Sequence, residues 1–119
     1  MKKLIIANWK MNPQTAQQAL RLAGDVERRA KNLRNVEVVL APPFIFLPAI
    51  AEKTFLKLGA QNVFYEKIGA YTGEISALQL KALGVRLVIV GHSERRMLGE
   101  TNEVINKKLK ADLGSGMRA

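Results

Sequence analysis

The chain reads as an α/β protein in which parallel strands are joined by helical crossovers. Three observations predict that class. Short runs such as Leu4-Ile5-Ile6-Ala7 are apolar at consecutive positions, which marks strands covered on both faces. Stretches between those runs place apolar residues every three or four positions, as an amphipathic helix does. Strand and helix alternate in this way four times, and repetition at this spacing implies parallel strands with crossovers.

The elements follow in order. After Leu4–Ala7, Asn12-Pro13 reads as an N-cap with proline at the first helical position. Ala16, Ala19, Leu20, Ala23, Val26 and Ala30 then form one apolar helical face. Val36–Ala41 is a second buried strand, stopped by Pro42-Pro43, and a helix is expected around Leu47–Phe55. Leu58–Val63 is a third, weaker strand. Ser76-Ala77-Leu78-Gln79 is a capping box that opens a third helix, closed near Gly84. Arg86–Val90 is the clearest strand and runs into Gly91-His92-Ser93-Glu94, with Ser93 able to cap a following helix. The last helix is expected over Thr101–Leu113, ended by Gly114 and Gly116.

Between Phe64 and Ile75 no period is visible. This stretch carries Gly69, Gly73, Phe64, Tyr65, Ile68 and Tyr71. Structureless connections of that length in a compact domain are usually functional. Its aromatic side chains either form a contact surface or fold back onto their own domain.

Composition excludes several classes. The 119 residues are 48% hydrophobic and 24% charged, with nine Gly and four Pro, which is globular rather than disordered. Zero cysteines exclude a disulfide scaffold, a thiol nucleophile and a cysteine-ligated metal, and fit a reducing cytoplasm. No apolar run is long enough to span a bilayer, and Met1-Lys2-Lys3 leads into too short an apolar stretch for a signal peptide. A soluble cytoplasmic chain is expected, with no membrane partner. The net charge of +9 raises nucleic-acid binding. The basic residues are dispersed over expected helices, however, and no aromatic residues are interleaved with the two dense groups, Arg28–Arg34 and Lys107–Lys110. Nucleic acid is therefore not the expected partner. No cofactor motif and no metal set is read.

Polar residues collect where the first and fourth strands end: Asn8 and Lys10 after one, His92, Ser93 and Glu94 after the other. Ligands of parallel α/β folds bind at that carboxyl edge. His92 is the only histidine, and a lone histidine is ordinarily a structural hydrogen-bonding residue. After a buried strand and a glycine, at the start of a helix, the dipole favours a neutral ring that still donates one hydrogen bond to a carbonyl oxygen becoming negative. Lys10 closes an apolar strand, so it either pairs with an acid, Glu94 being the best candidate, or awaits an anionic ligand. Asn8, Lys10 and His92 together suit a small, negatively charged carbonyl compound.

Four segments then carry a resemblance. Ala7-Asn8-Trp9-Lys10-Met11-Asn12, Gly59-Ala60-Gln61-Asn62, Gly69-Ala70-Tyr71-Thr72-Gly73-Glu74-Ile75-Ser76 and Val90-Gly91-His92-Ser93-Glu94-Arg95-Arg96 resemble, in order and spacing, the triosephosphate isomerase family. The likeness extends over essentially the whole chain but only the front half of the family's length. It implies half a TIM barrel, a single (β/α)4 unit over residues 1–119. It also implies that Lys10 and Asn8 line the substrate site, with Lys10 holding phosphate and enediolate. His92 would be the neutral electrophile, an assignment for which this enzyme family is the standard illustration. Glu94 would fix Lys10, and Ser93 would sit near the catalytic base. The resemblance further implies that Tyr71, Thr72, Gly73 and Glu74 belong to the dimer-contact loop, which turns the choice for that loop towards a contact surface. The implied substrate is a triose phosphate, with dihydroxyacetone phosphate and glyceraldehyde 3-phosphate interconverted in glycolysis.

The family's general-base glutamate follows its sixth strand, and its phosphate clamp follows the seventh and eighth. The expectation is accordingly of a chain inactive as an isomerase by itself. Open strand edges predict association, as a homodimer or higher oligomer or with a complementary C-terminal half-barrel. The four units either close a pseudo-barrel with another copy or relax into a flat sheet. The alternative to an enzyme fragment is a non-enzymatic, self-associating half-barrel scaffold.

Overall fold

A computed structural model describes residues 1–119. Its elements are β1 (Lys3–Asn8), α1 (Ala16–Ala30), β2 (Val36–Ala41), α2 (Leu47–Lys53), β3 (Lys57–Ala60), α3 (Ala77–Ala82), β4 (Leu87–Val88), α4 (Ser93–Met97) and α5 (Asn102–Gly114). This succession is the α/β class of half a TIM barrel, (β/α)4. The chain divides into two compact units, residues 1–61 and 62–119.

In the first unit β1 runs parallel to β2, in a register that sets Lys3 against Val36 and Asn8 against Ala41. β2 runs parallel to β3, with Leu40 opposite Leu58. Val39, Leu40, Ala41, Leu58 and Ala60 are buried, together with Ala19 and Ala23 of α1 and Leu47 and Ile50 of α2. The apolar stripe read from the sequence is thus the one α1 buries. Its start is different: α1 begins after Thr15, whose Oγ1 accepts from the Gln18 N–H, not after Asn12. The Asn12–Pro13 peptide is cis and belongs to the loop before the helix. β3 ends at Ala60, short of the expected Val63, because the Gln61 side chain leaves the ladder to bond two backbone carbonyls.

The second unit is built on Val63, Ala77, Leu80, Val85, Leu87, Val88 and Met117, all buried. The Ser76–Gln79 capping box is present in both directions: the Ser76 hydroxyl accepts from the Gln79 N–H, and the Gln79 side chain accepts from the Ser76 N–H. β4 is only two residues long although Arg86–Val90 is the most strand-like run in the sequence. Its partner in this unit is the chain's tail, which supplies one parallel bridge: the Val88 N–H donates to the Arg118 carbonyl at 2.8 Å and the Arg118 N–H donates to Arg86. Strand length is set by such partners, so apolar pattern alone overstates it. α5 is capped by Thr101 and closes on Ser115, followed by Gly116 at φ 86°; Gly114 is the last helical residue and not a terminator.

Candidate functional site

The first group of candidate residues lies at the carboxyl end of β1. Asn8 is half-buried, and its Oδ1 accepts from the Lys10 N–H at 2.9 Å, a two-residue turn that stops the strand. Trp9 donates from its backbone to the Ala41 carbonyl. Lys10 is the next residue, held at φ 57°, a left-handed conformation uncommon for lysine. Gln61 stabilises that backbone: its Nε2 donates to the Lys10 carbonyl at 2.8 Å and to the Ala41 carbonyl at 2.9 Å. One amide therefore ties the ends of β1 and β2 together and fixes where the lysine side chain begins. A strained backbone kept by surrounding bonds is a frequent property of binding sites. Sequence reading passed over Gln61 as a site residue; its signal was a lone amide directly after the buried Leu58-Gly59-Ala60.

The second group surrounds the start of α4. His92, not Ser93, is the N-cap: its Nδ1 accepts from the Glu94 N–H at 3.1 Å. Serine has the better intrinsic capping preference, but the ring already supplies an acceptor one residue earlier, so the helix starts at Ser93. A nitrogen that accepts from an N–H carries no proton, which leaves the ring proton of neutral His92 on Nε2. The Glu94 Oε2 lies 3.7 Å from the same Nδ1, and with Nδ1 engaged as an acceptor that proximity is not an ion pair. Gly91 precedes at φ 72°, and a Cβ there would meet Ile105 Cγ2 at 3.2 Å, so glycine is needed both for the turn and for the close approach of α5.

α4 has no buried residue. Polar contacts hold it instead. Arg96 Nε donates to the Gly91 carbonyl at 3.1 Å, and its Nη1 to Asn102 Oδ1 at 2.6 Å. Arg95 Nε donates to Glu100 Oε2 at 2.7 Å. The same Glu100 oxygen receives Lys108 Nζ from α5 at 2.9 Å, and Lys108 also donates to Asn62 Oδ1 at 2.8 Å. Burial alone would push the Glu100 carboxyl up, but hydrogen bonds and charge from Lys108 and Arg95 outweigh it and hold the group below its ordinary value. None of this network was visible in the sequence, where Lys108 counts as one more solvated cation.

In the loop after Val63 the aromatic rings pack on one another while the tip stays exposed. Phe64 stacks on Tyr65 with ring centroids 4.3 Å apart and tilts against Tyr71 at 4.7 Å, while Lys107 Nζ sits over the Tyr65 ring, 5.2 Å from its centroid. Ile68 is exposed, as are Tyr71, Thr72, Gly73 and Glu74 at the tip. The tip is a turn in which Glu74 N–H donates to the Tyr71 carbonyl, with Gly73 at φ 86°. The dense basic groups are partly neutralised: Arg28 pairs with Asp25, Lys107 with Glu103, and Lys108 is buried on Glu100. No helix is long and apolar enough to cross a membrane.

A β/α chain that ends its first strand on a lysine in a left-handed turn, and its fourth on a helix-capping imidazole, has the organisation of the TIM-barrel class, where ligands meet the strands' carboxyl ends. Comparison with known proteins narrows this. The sequence model of the family described as triosephosphate isomerase matches residues 3–119. The chain is similar to the triosephosphate isomerase of Dehalococcoides mccartyi strain CBDB1, at 48% identity over 122 aligned residues covering 98% of the chain and 47% of that protein. It is similar to that of Dictyoglomus thermophilum at 46% identity, covering 98% of the chain and 48% of the relative. It is similar to that of Clostridium tetani at 46%, covering 92% and 44%. The chain belongs to the triosephosphate isomerase family and spans about half the length of the curated relatives it matches, as their N-terminal half.

Proposed function

We propose that these residues form the electrophilic part of a triose-phosphate isomerisation site, one that interconverts dihydroxyacetone phosphate and glyceraldehyde 3-phosphate in cytoplasmic glycolysis. Lys10, with Asn8 beside it, balances the negative charge of the phosphate and of the enediolate. His92 donates its Nε2 proton as a hydrogen bond to the substrate carbonyl, whose oxygen gains charge as the enediolate forms. Glu94 orients Lys10. The observation that carries this reading is the bond from the Glu94 N–H to His92 Nδ1, because it leaves a neutral ring with a single donor. The reading assigns proton removal to a carboxylate outside residues 1–119.

An isomerase assay on the 119-residue chain alone should give no turnover above buffer, whereas adding the C-terminal half of the Dictyoglomus thermophilum relative should restore it. Lys10→Met or His92→Gln should each lower the restored rate by about a hundredfold or more, the scale of losing one electrostatic stabiliser. Turnover by the chain alone, or a restored rate indifferent to His92→Gln, overturns the reading.

We further propose that residues 1–119 act as one (β/α)4 unit that self-associates. Leu4, Ile5 and Ile6 of β1 are 38%, 50% and 39% exposed, so successive side chains on both faces of this edge strand are open. An exposed apolar strand edge is an association surface. Native mass at micromolar concentration should show a dimer or larger species, and Ile5→Lys should shift it to monomer. A monomeric wild-type chain overturns the proposal.

A further inference from the structure

We propose that Glu100 is the positioning residue for His92, acting through Arg95. The inference rests on the assignment of His92 to the site above. It starts from how α4 is held. A five-residue helix with no buried side chain gains nothing from an apolar core, and Met97 and Leu98 at its end are largely exposed. Its N-cap is His92 itself, so any rocking of α4 swings the imidazole.

Glu100 is what ties the helix down. Its side chain is 5% exposed, and its Oε2 joins two cations from different elements: Arg95 in the middle of α4 and Lys108 in the middle of α5. Lys108 is equally buried and reaches on to Asn62 just before the aromatic loop. The chain from Asn62 through Lys108 and Glu100 to Arg95 thus anchors α4 to the long helix of its unit. Bonds to charged groups are about twice as strong as neutral ones, and a buried one resists competition from water. Arg96 adds a local clasp to Gly91 and Asn102, but both of those partners lie within six residues of it along the chain. The Glu100 hub, by contrast, links α4 through Lys108 to sequence as distant as Asn62. Its other oxygen, Oε1, is buried without a protein partner, so all the anchoring passes through Oε2. Glu100 does not touch the position of the reacting atoms; its effect is the direction in which His92 Nε2 points.

The test measures the ligand-free 119-residue chain by NMR, so it can fail without touching the substrate assignment. Arg95→Gln cuts the link to α4 while leaving the buried Lys108–Glu100 pair intact, which protects folding. The readouts are the His92 χ1 couplings and hydrogen exchange at the Glu94 N–H. Wild type should show one χ1 rotamer, and Arg95→Gln should average several while Glu94 exchange speeds up about tenfold. Glu100→Gln should act in the same direction, and Arg95→Lys should recover part of the protection. Val85→Ala, a core truncation in the same unit, should lower stability without averaging His92. An unchanged His92 rotamer and Glu94 exchange in Arg95→Gln overturns the proposal, and so does equal averaging in Val85→Ala.

Discussion

Replacing Asp112 with alanine should stabilise the chain at pH 7.5 by about 3 kcal/mol. Asp112 lies in the last turn of α5, is fully buried, and neither carboxylate oxygen has a hydrogen-bond partner. Desolvation pushes its pKa up to about 6. A negative charge near a helix C-terminus also faces the negative end of the dipole. The sign follows from linkage. A carboxyl whose folded value is raised favours folding while it is protonated, so its support is complete below the ordinary aspartate value and lost as pH rises through about 6. Above that pH the buried charge opposes folding by about 3 kcal/mol, from about 1.4 kcal/mol for each pH unit of the rise. Wild type should therefore gain about 1.4 kcal/mol in urea unfolding on going from pH 7.5 to pH 5. Asp112→Asn, which keeps the shape and cannot ionise, should lose that dependence. A pH slope in Asp112→Asn equal to wild type would remove Asp112 as its origin. Glu100 does not confuse the measurement, because its lowered value confines its titration to more acidic solution.

Asp112 also marks where sequence reading stops. Some apolar faces were legible: Ala19 and Ala23 in α1, and the Leu40 and Val88 strands, are buried as their periodicity requires, whereas Leu4, Ile5 and Ile6, read as covered on both faces, are exposed because β1 is an edge strand. So was the Ser76–Gln79 capping box, a signal carried entirely within four residues. Asn8, Lys10, His92 and Glu94 could be placed at strand ends because chain order alone fixes that edge in a parallel fold. What could not be read were choices made by distant partners. Thr15 rather than Asn12 opens α1, and His92 rather than Ser93 opens α4, since an N-cap is decided by which acceptor faces the first free N–H groups. Gln61 holds the Lys10 turn across 51 residues of chain, and Lys108 reaches Asn62 across 46. A polar residue on a helix is assumed to be solvated. Asp112 and Lys108 break that assumption in opposite ways, one buried without a partner and the other buried with two acceptors.

Lys108→Met should cost about 3–5 kcal/mol, the range for breaking a buried ion pair by removing one partner. Methionine nearly matches the lysine stem, so little packing is lost. The effect instead comes from what is stranded: Glu100 keeps only Arg95, which is 36% exposed at its side chain, and Asn62 Oδ1 loses its donor. The Glu100 carboxyl, now short of the Lys108 charge that offset its burial, should rise in pKa, so the loss should shrink as pH falls and the group protonates. Removing Glu100 as well separates a stabilising network from a merely satisfied one. In Glu100→Met with Lys108→Met neither charge of the buried pair remains, and Arg95 can turn to water. If the network only satisfies itself, the double variant should recover most of the loss, with a coupling energy of about 2–3 kcal/mol in the four-member cycle. The His92 rotamer should nevertheless stay averaged in that double variant, because apolar packing would restore the stability of α5 without restoring the link to α4. Urea midpoints and His92 couplings measured on the same four proteins decide the point. Losses that simply add would show that Glu100 and Lys108 do not work as a pair, and a fixed His92 in the double variant would show that Glu100 does not position it.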